Sequence, residues 1–213
     1  MRIAIALVLL SSTAYAERNE LSYGGGFRAL HSSSANAVTE DSLTGGQLGY
    51  AHALDLSLLP DLELWAQAGF GWGGTDGTMF QTLSTDVSTI NFTAGGRARY
   101  ELHRLAIASA HIDLGTARAA FSLRDGAGHT ASDHGWGAIT SVGAALDLFA
   151  IRRKRFALGV RVDLGYVYAS GIDLVATPES SSDGTLQLEM TAAGLGSLDL
   201  SGPTFNAALV STF

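Results

Sequence analysis

Residues 156–168 read FALGVRVDLGYVY, with Phe156, Leu158, Val160, Val162, Leu164, Tyr166 and Tyr168 at even positions and Ala157, Gly159, Arg161, Asp163, Gly165 and Val167 at odd ones. Such strict period two predicts an extended strand with one greasy face and one face of small and charged side chains. The alternation recurs in seven further stretches, at 19–30, 46–58, 62–72, 89–102, 105–117, 137–151 and 204–213. Each is long enough to cross a bilayer when tilted, for which about 9 to 11 residues suffice. Two flaws interrupt the phase. His52 falls on the greasy side of its stretch, and Arg118 breaks the fifth, as a bulge or a membrane boundary would.

Connections are long after the first, third, fifth and seventh stretches and short after the second, fourth and sixth, at Leu59-Pro60-Asp61, His103-Arg104 and Arg152-Arg153-Lys154. This rhythm predicts an up-and-down antiparallel sheet with short turns at one end and long loops at the other. The longest connection, 170–202, has its own alternation in TLQLEM at 185–190 and a turn-like SSSDG at 180–184, so an outward hairpin is expected there. Pro178 and the run of serines argue against two additional membrane strands.

Period alone does not say which face meets water, because a soluble barrel shows the same alternation turned inside out. The content of the polar face decides. It is mostly Gly, Ala, Ser and Thr, and Lys154 is the only lysine of the chain. Its charges are Arg28, Arg97, Arg99 and Arg161 with Asp55, Glu63, Glu101, Asp113, Asp147 and Asp163, joined by His111. Enclosed in a narrow lumen, these groups must pair, with Arg161 and Asp163 as one candidate pair. Arg161 facing lipid at mid-bilayer would instead cost about 2 to 4 kcal/mol. Aromatic residues form two expected girdles: Trp72, Trp136, Tyr166, Tyr168 and Phe205 near the outer strand ends, and Tyr23, Tyr100, Phe156 and Phe213 near the inner ones.

Residues 1–16, MRIAIALVLLSSTAYA, set Arg2 before a short apolar run and close on Ala14-Tyr15-Ala16, which reads as a cleavable secretory signal ahead of one domain at 17–213. Lys and Arg number 13 against 20 Asp and Glu, a net charge of −7, which excludes sequence-independent attraction to nucleic acid. With no cysteine, disulfides and thiolate metal sites are excluded as well. The 26 glycines, most of them inside alternating stretches, disfavour a helical bundle.

An export signal, eight alternating strands and a last strand TFNAALVSTF ending in Phe213 resemble the small eight-stranded bacterial outer-membrane β-barrels, of the OmpA transmembrane-domain and OmpW kind. The resemblance covers the whole of 17–213 and is architectural. It implies an all-β, eight-stranded antiparallel transmembrane barrel in the outer membrane of a Gram-negative bacterium. Both termini would be periplasmic, the chain a monomer, and outer-membrane lipids and lipopolysaccharide its surroundings. It also implies that the barrel-assembly machinery reads Phe205, Leu209 and Phe213; Ser211, where a bulkier apolar residue is usual, departs from that pattern.

Candidate chemistry is sparse. GFGWGG at 69–74 contains G-x-G-x-x-G without a following helix pattern and is read as strand end and turn. Asn91-Phe92-Thr93 fits a glycosylation sequon inside a strand and is read as chance. GHTASDHG gathers His129, Ser132, Asp133 and His134 in an expected external loop, where a lipid A-modifying enzyme would carry such groups. One loop lacks the separate rigid supports that catalysis needs, so solvated residues are the reading. The long connections are acidic but without D-x-D-x-D-G spacing, so no metal and no cofactor are expected. The reading is a non-enzymatic membrane or surface protein with a polar, largely filled lumen. A narrow channel for small or hydrophobic solutes is the alternative, and a lipid A-modifying enzyme the second.

Overall fold

The computed structural model describes residues 18–31, 41–59, 62–79, 83–126, 130–153, 156–178 and 193–213. The signal reading at 1–16, the turn residues Pro60 and Lys154, His129 and the 180–190 segment lie outside them. Ten strands follow in chain order: β1 (Asn19–Ala29), β2 (Ser42–Leu59), β3 (Leu62–Met79), β4 (Leu83–His103), β5 (Ala106–Arg124), β6 (Thr130–Arg153), β7 (Phe156–Ala169), β8 (Ile172–Pro178), β9 (Ala193–Leu198) and β10 (Gly202–Thr212). β1 to β7 pair antiparallel in succession, and β10 pairs with both β7 and β1. Eight strands therefore close into a ring, which satisfies every ladder and leaves no edge. β8 and β9 pair with each other beyond the ring, and β8 meets β6 at Pro178 opposite Ala131 and Thr177 opposite Ser132.

The faces are oriented as the alternation requires. Leu158, Val160 and Leu164 are 39, 47 and 60% exposed, whereas Arg161 and Asp163 retain 5 and 9%. Phe92, Ile112, Leu114, Leu146 and Leu209 also point outward. Each such side chain forgoes about 1.5 to 3 kcal/mol if water surrounds it, so the belt demands hydrocarbon as its solvent. On β3 the belt runs from Leu62 to Trp72, which spans about 28 Å at a tilt near 40° and matches a bilayer core. His52 sits at the short-turn end, where its Nδ1 lies 3.0 Å from Asn19 Oδ1, an atom that also accepts the Tyr50 hydroxyl.

Four strands outrun the belt. β3, β4, β5 and β6 continue well past it, so the connections expected after the third and fifth stretches are largely paired strand among the described residues, and Gly69–Gly74 is strand throughout rather than a turn. Arg118 marks a membrane boundary and not a bulge: β5 keeps unshifted register with β4 and β6 on both sides of it. Above that level the outward face meets water, so polarity inverts while geometry continues. Outward positions become Arg118, Ser122 and Arg124, and inward ones become Ala117, Ala119 and Phe121, all three buried. Leu30, Leu43, Val87, Ala119, Phe121, Ile172, Leu198 and Leu200 form one apolar core inside this tall end.

Candidate functional site

The interior of the ring is the candidate site, and it is layered. At the short-turn end Ile107, Phe149, Ala157 and Val210 pack with Leu105 into an apolar plug. Beside the next layer Trp65 is 1% exposed. Its indole lies 4.3 Å beneath the Arg99 guanidinium, and its Nε1 donates to Glu63 at 3.0 Å.

The second layer is a knot of five charges. Strand register sets Arg161 on β7 directly opposite Asp147 on β6. The guanidinium grips that carboxylate as a fork, Nε to Oδ1 at 2.6 Å and Nη2 to Oδ2 at 2.7 Å. Glu20 on β1 reaches across the lumen and accepts from Arg97 Nη1 at 2.6 Å and from Arg161 Nη2 at 3.1 Å, with Arg161 Nη1 at 2.9 Å and Arg99 Nη1 at 3.5 Å. Asp147 and Glu20 retain 0 and 1% exposure. Desolvation at this depth is tolerable only because each carboxylate meets more than one donor.

A polar chamber of about 210 Å³ lies above the knot. His111 stands between two carboxylates, with Nδ1 3.4 Å from Asp163 and Nε2 3.8 Å from Asp113. Asp113 accepts from Gln67 at 2.6 Å and Ser141 at 3.2 Å, and Asp163 from Asn206 at 3.4 Å. Glycine makes the room: a Cβ at Gly143 would stand 2.6 Å from the His111 ring, and one at Gly71 2.7 Å from the Asn91 amide. Arg28 lines the chamber too and donates to the Leu200 carbonyl at 3.2 Å. Ala117, Ile139 and Val167, and then the tall-end core, follow.

Of the charges expected in the lumen, Arg97, Arg99, Asp147 and Arg161 meet in the knot, and His111, Asp113, Asp163 and Arg28 line the chamber. Asp55, Glu63 and Glu101 do not join them. Their positions point inward but lie past the plug, where water reaches. Asp55 forms a fork with Arg18, and Glu101 pairs with Arg152 at 2.9 Å. Arg161 does not pair with Asp163 but with Asp147 and Glu20. Glu20 and Trp65 are the residues sequence reasoning missed, although Glu20 shares the parity of Ser22 and Arg28.

The girdles also need correction. Tyr23 touches Trp72, with ring centroids 6.5 Å apart, so these two cannot stand at opposite edges of a hydrocarbon layer. Phe213 is buried, and its backbone pairs with Asn19 to help close the ring. Tyr100, Trp136, Phe156, Tyr168 and Phe205 face outward, Phe205 stacks on Phe27, and Tyr166 packs on Tyr168. Ser132, Asp133 and His134 are consecutive on strand β6 rather than in a loop, so Ser132 and His134 are exposed on one face while Asp133 lies on the other. Three neighbours on alternating faces do not converge on one substrate atom.

No family model matches the chain, and no curated protein sequence does. Among solved structures it is similar to Ail, the attachment invasion locus protein of Yersinia pestis, at 14% identity and a TM-score of 0.47 over 92% of this chain and 97% of that one. It is also similar to Neisserial surface protein A at 14% and 0.44, over 94 and 99% of the two chains. A third is the translocator domain of the autotransporter NalP from Neisseria meningitidis, at 10% and 0.44 over 100 and 93%. Strand count, ring closure and an apolar exterior make this chain an eight-stranded antiparallel β-barrel with a face suited to hydrocarbon.

Proposed function

We propose that the chain is a closed outer-membrane scaffold of a Gram-negative cell, non-enzymatic, with both termini in the periplasm and its working surface on the tall end outside. Barrels of this class carry short turns on the periplasmic side and long connections outside, which supports that orientation. The observation that carries the reading is the stacked interior, with an apolar plug, a charge knot and an apolar core along one axis. An eight-stranded ring is just wide enough to be filled by side chains, so three packed levels along its axis support a closed interior. The last strand, with Phe205 and Leu209 toward lipid and Phe213 at its end, would serve as the assembly signal.

The chamber favours a narrow channel, and a single measurement separates the two readings. Folded protein in a planar bilayer should give no conductance above leak. Steady, reproducible current steps from the wild-type chain would refute the closed scaffold and support the channel.

A further inference from the structure

We propose that the outward face of β5 on the tall end docks a phosphorylated glycolipid headgroup, an inference that rests on the outer-membrane placement above. At the edge of the belt Arg118 stands in register between Ile90 and Trp136, and His134 lies one pleat higher, opposite Ala120. Arg124 crowns the strand, exposed, and the outward positions between the two arginines hold only Ala120 and Ser122. Among the described residues neither Arg118 nor Arg124 has a carboxylate partner. A guanidinium at the lip of the hydrocarbon beside an interfacial tryptophan is a fork aimed at the level where lipid phosphates lie.

The spacing selects the kind of lipid. Arg124 lies six positions beyond Arg118, about 20 Å along the strand and about 15 Å in height after tilt. The headgroup layer of a phospholipid is only about 5 to 8 Å thick, so its phosphate reaches Arg118 and leaves Arg124 in water. An anion at Arg124 must be carried on sugars that project farther from the membrane. The one acidic neighbour in these rows is Asp86, opposite Ser122. Its carboxyl is pushed above the usual range by burial and by Asp76.

The test uses the folded full chain in nanodiscs of zwitterionic lipid, with three probes: phosphorylated lipopolysaccharide, the same material dephosphorylated, and phosphatidylglycerol vesicles. The wild type should bind the phosphorylated glycolipid about tenfold or more tighter than the dephosphorylated one. Arg124→Ala should lose about tenfold for the glycolipid and nothing for phosphatidylglycerol, whereas Arg118→Ala should lose on both and Arg118→Lys should recover part. Equal binding by wild type and both alanine variants, or indifference to dephosphorylation, would overturn the docking surface. Heat-dependent gel migration reports the folded barrel separately. A wild type that never shows it refutes the membrane placement itself, while a folded barrel that fails to discriminate refutes only the docking surface.

Discussion

Glu20→Gln is the sharpest perturbation of the interior. The carboxylate is 1% exposed and lies within 3.5 Å of three guanidiniums, those of Arg97, Arg99 and Arg161. The knot holds three cations against Glu20 and Asp147, a formal +1, and the amide raises this to +2 with Asp147 as the sole remaining anion. Removing one partner of a buried pair costs about 3 to 5 kcal/mol, because the other charge stays desolvated. Arg97 is left without its carboxylate while Arg161 and Arg99 keep only Asp147, so the loss should fall in that range. Urea unfolding in detergent micelles, followed by tryptophan fluorescence, measures it, and Trp65 against Arg99 supplies a local reporter. Glu63→Gln is the control: that carboxylate is exposed, and its removal should cost less than about 1 kcal/mol. Adding Arg97→Gln to Glu20→Gln restores the formal +1, so the double variant should be more stable than the sum of the single losses requires. A Glu20→Gln protein within about 1 kcal/mol of wild type would show that the knot is hydrated and not a desolvated plug.

Leu164→Arg should cost about 2 to 4 kcal/mol in lipid if it lies at mid-bilayer, and the same change in a soluble barrel would be harmless; the folded fraction in vesicles distinguishes them. Phe121→Ala should loosen the tall end by about 3 to 5 kcal/mol, visible as new protease cleavage at the extension while the heat-resistant membrane core persists. For pH, burial first and Asp76 second hold the Asp86 carboxyl above its ordinary range. A folded pKa above the unfolded one gives stability that is complete below the unfolded value and lost as pH rises through the folded one. Asp76→Asn should therefore raise the unfolding midpoint at neutral pH, by about 0.2 to 1 kcal/mol for a like-charged cross-strand pair, and leave it unchanged near about pH 3.

Within the belt the fold is legible because hydrocarbon outside and a cramped lumen inside impose one rule on every strand. FALGVRVDLGYVY shows it best, and Arg161 could only point inward. Above the belt that rule reverses. The segment 117–124, ARAAFSLR, keeps its period but exchanges the meaning of its faces, so a reader following one apolar face stops at Arg118. The polar outward run of β6 is hidden for the same reason. Pairing was less legible than facing. Arg161 and Asp163 share a face, yet residues two apart on a strand lie about 7 Å from each other, while a direct cross-strand partner lies about 5 Å away. Which residue stands opposite depends on register, and register is set by neighbours distant in sequence. Glu20 was missed because it leads into its strand, and Tyr23 was misplaced because strand tilt carries it beside Trp72.

The reversal at Arg118 also fixes how deep the molecule rides. Sliding the barrel inward by one pleat would drag a guanidinium into acyl chains, and sliding it outward would strand Leu62, Leu102 and Phe156 in aqueous surroundings. Neither shift is free, so a thicker or thinner bilayer has to pucker around the protein rather than let it bob.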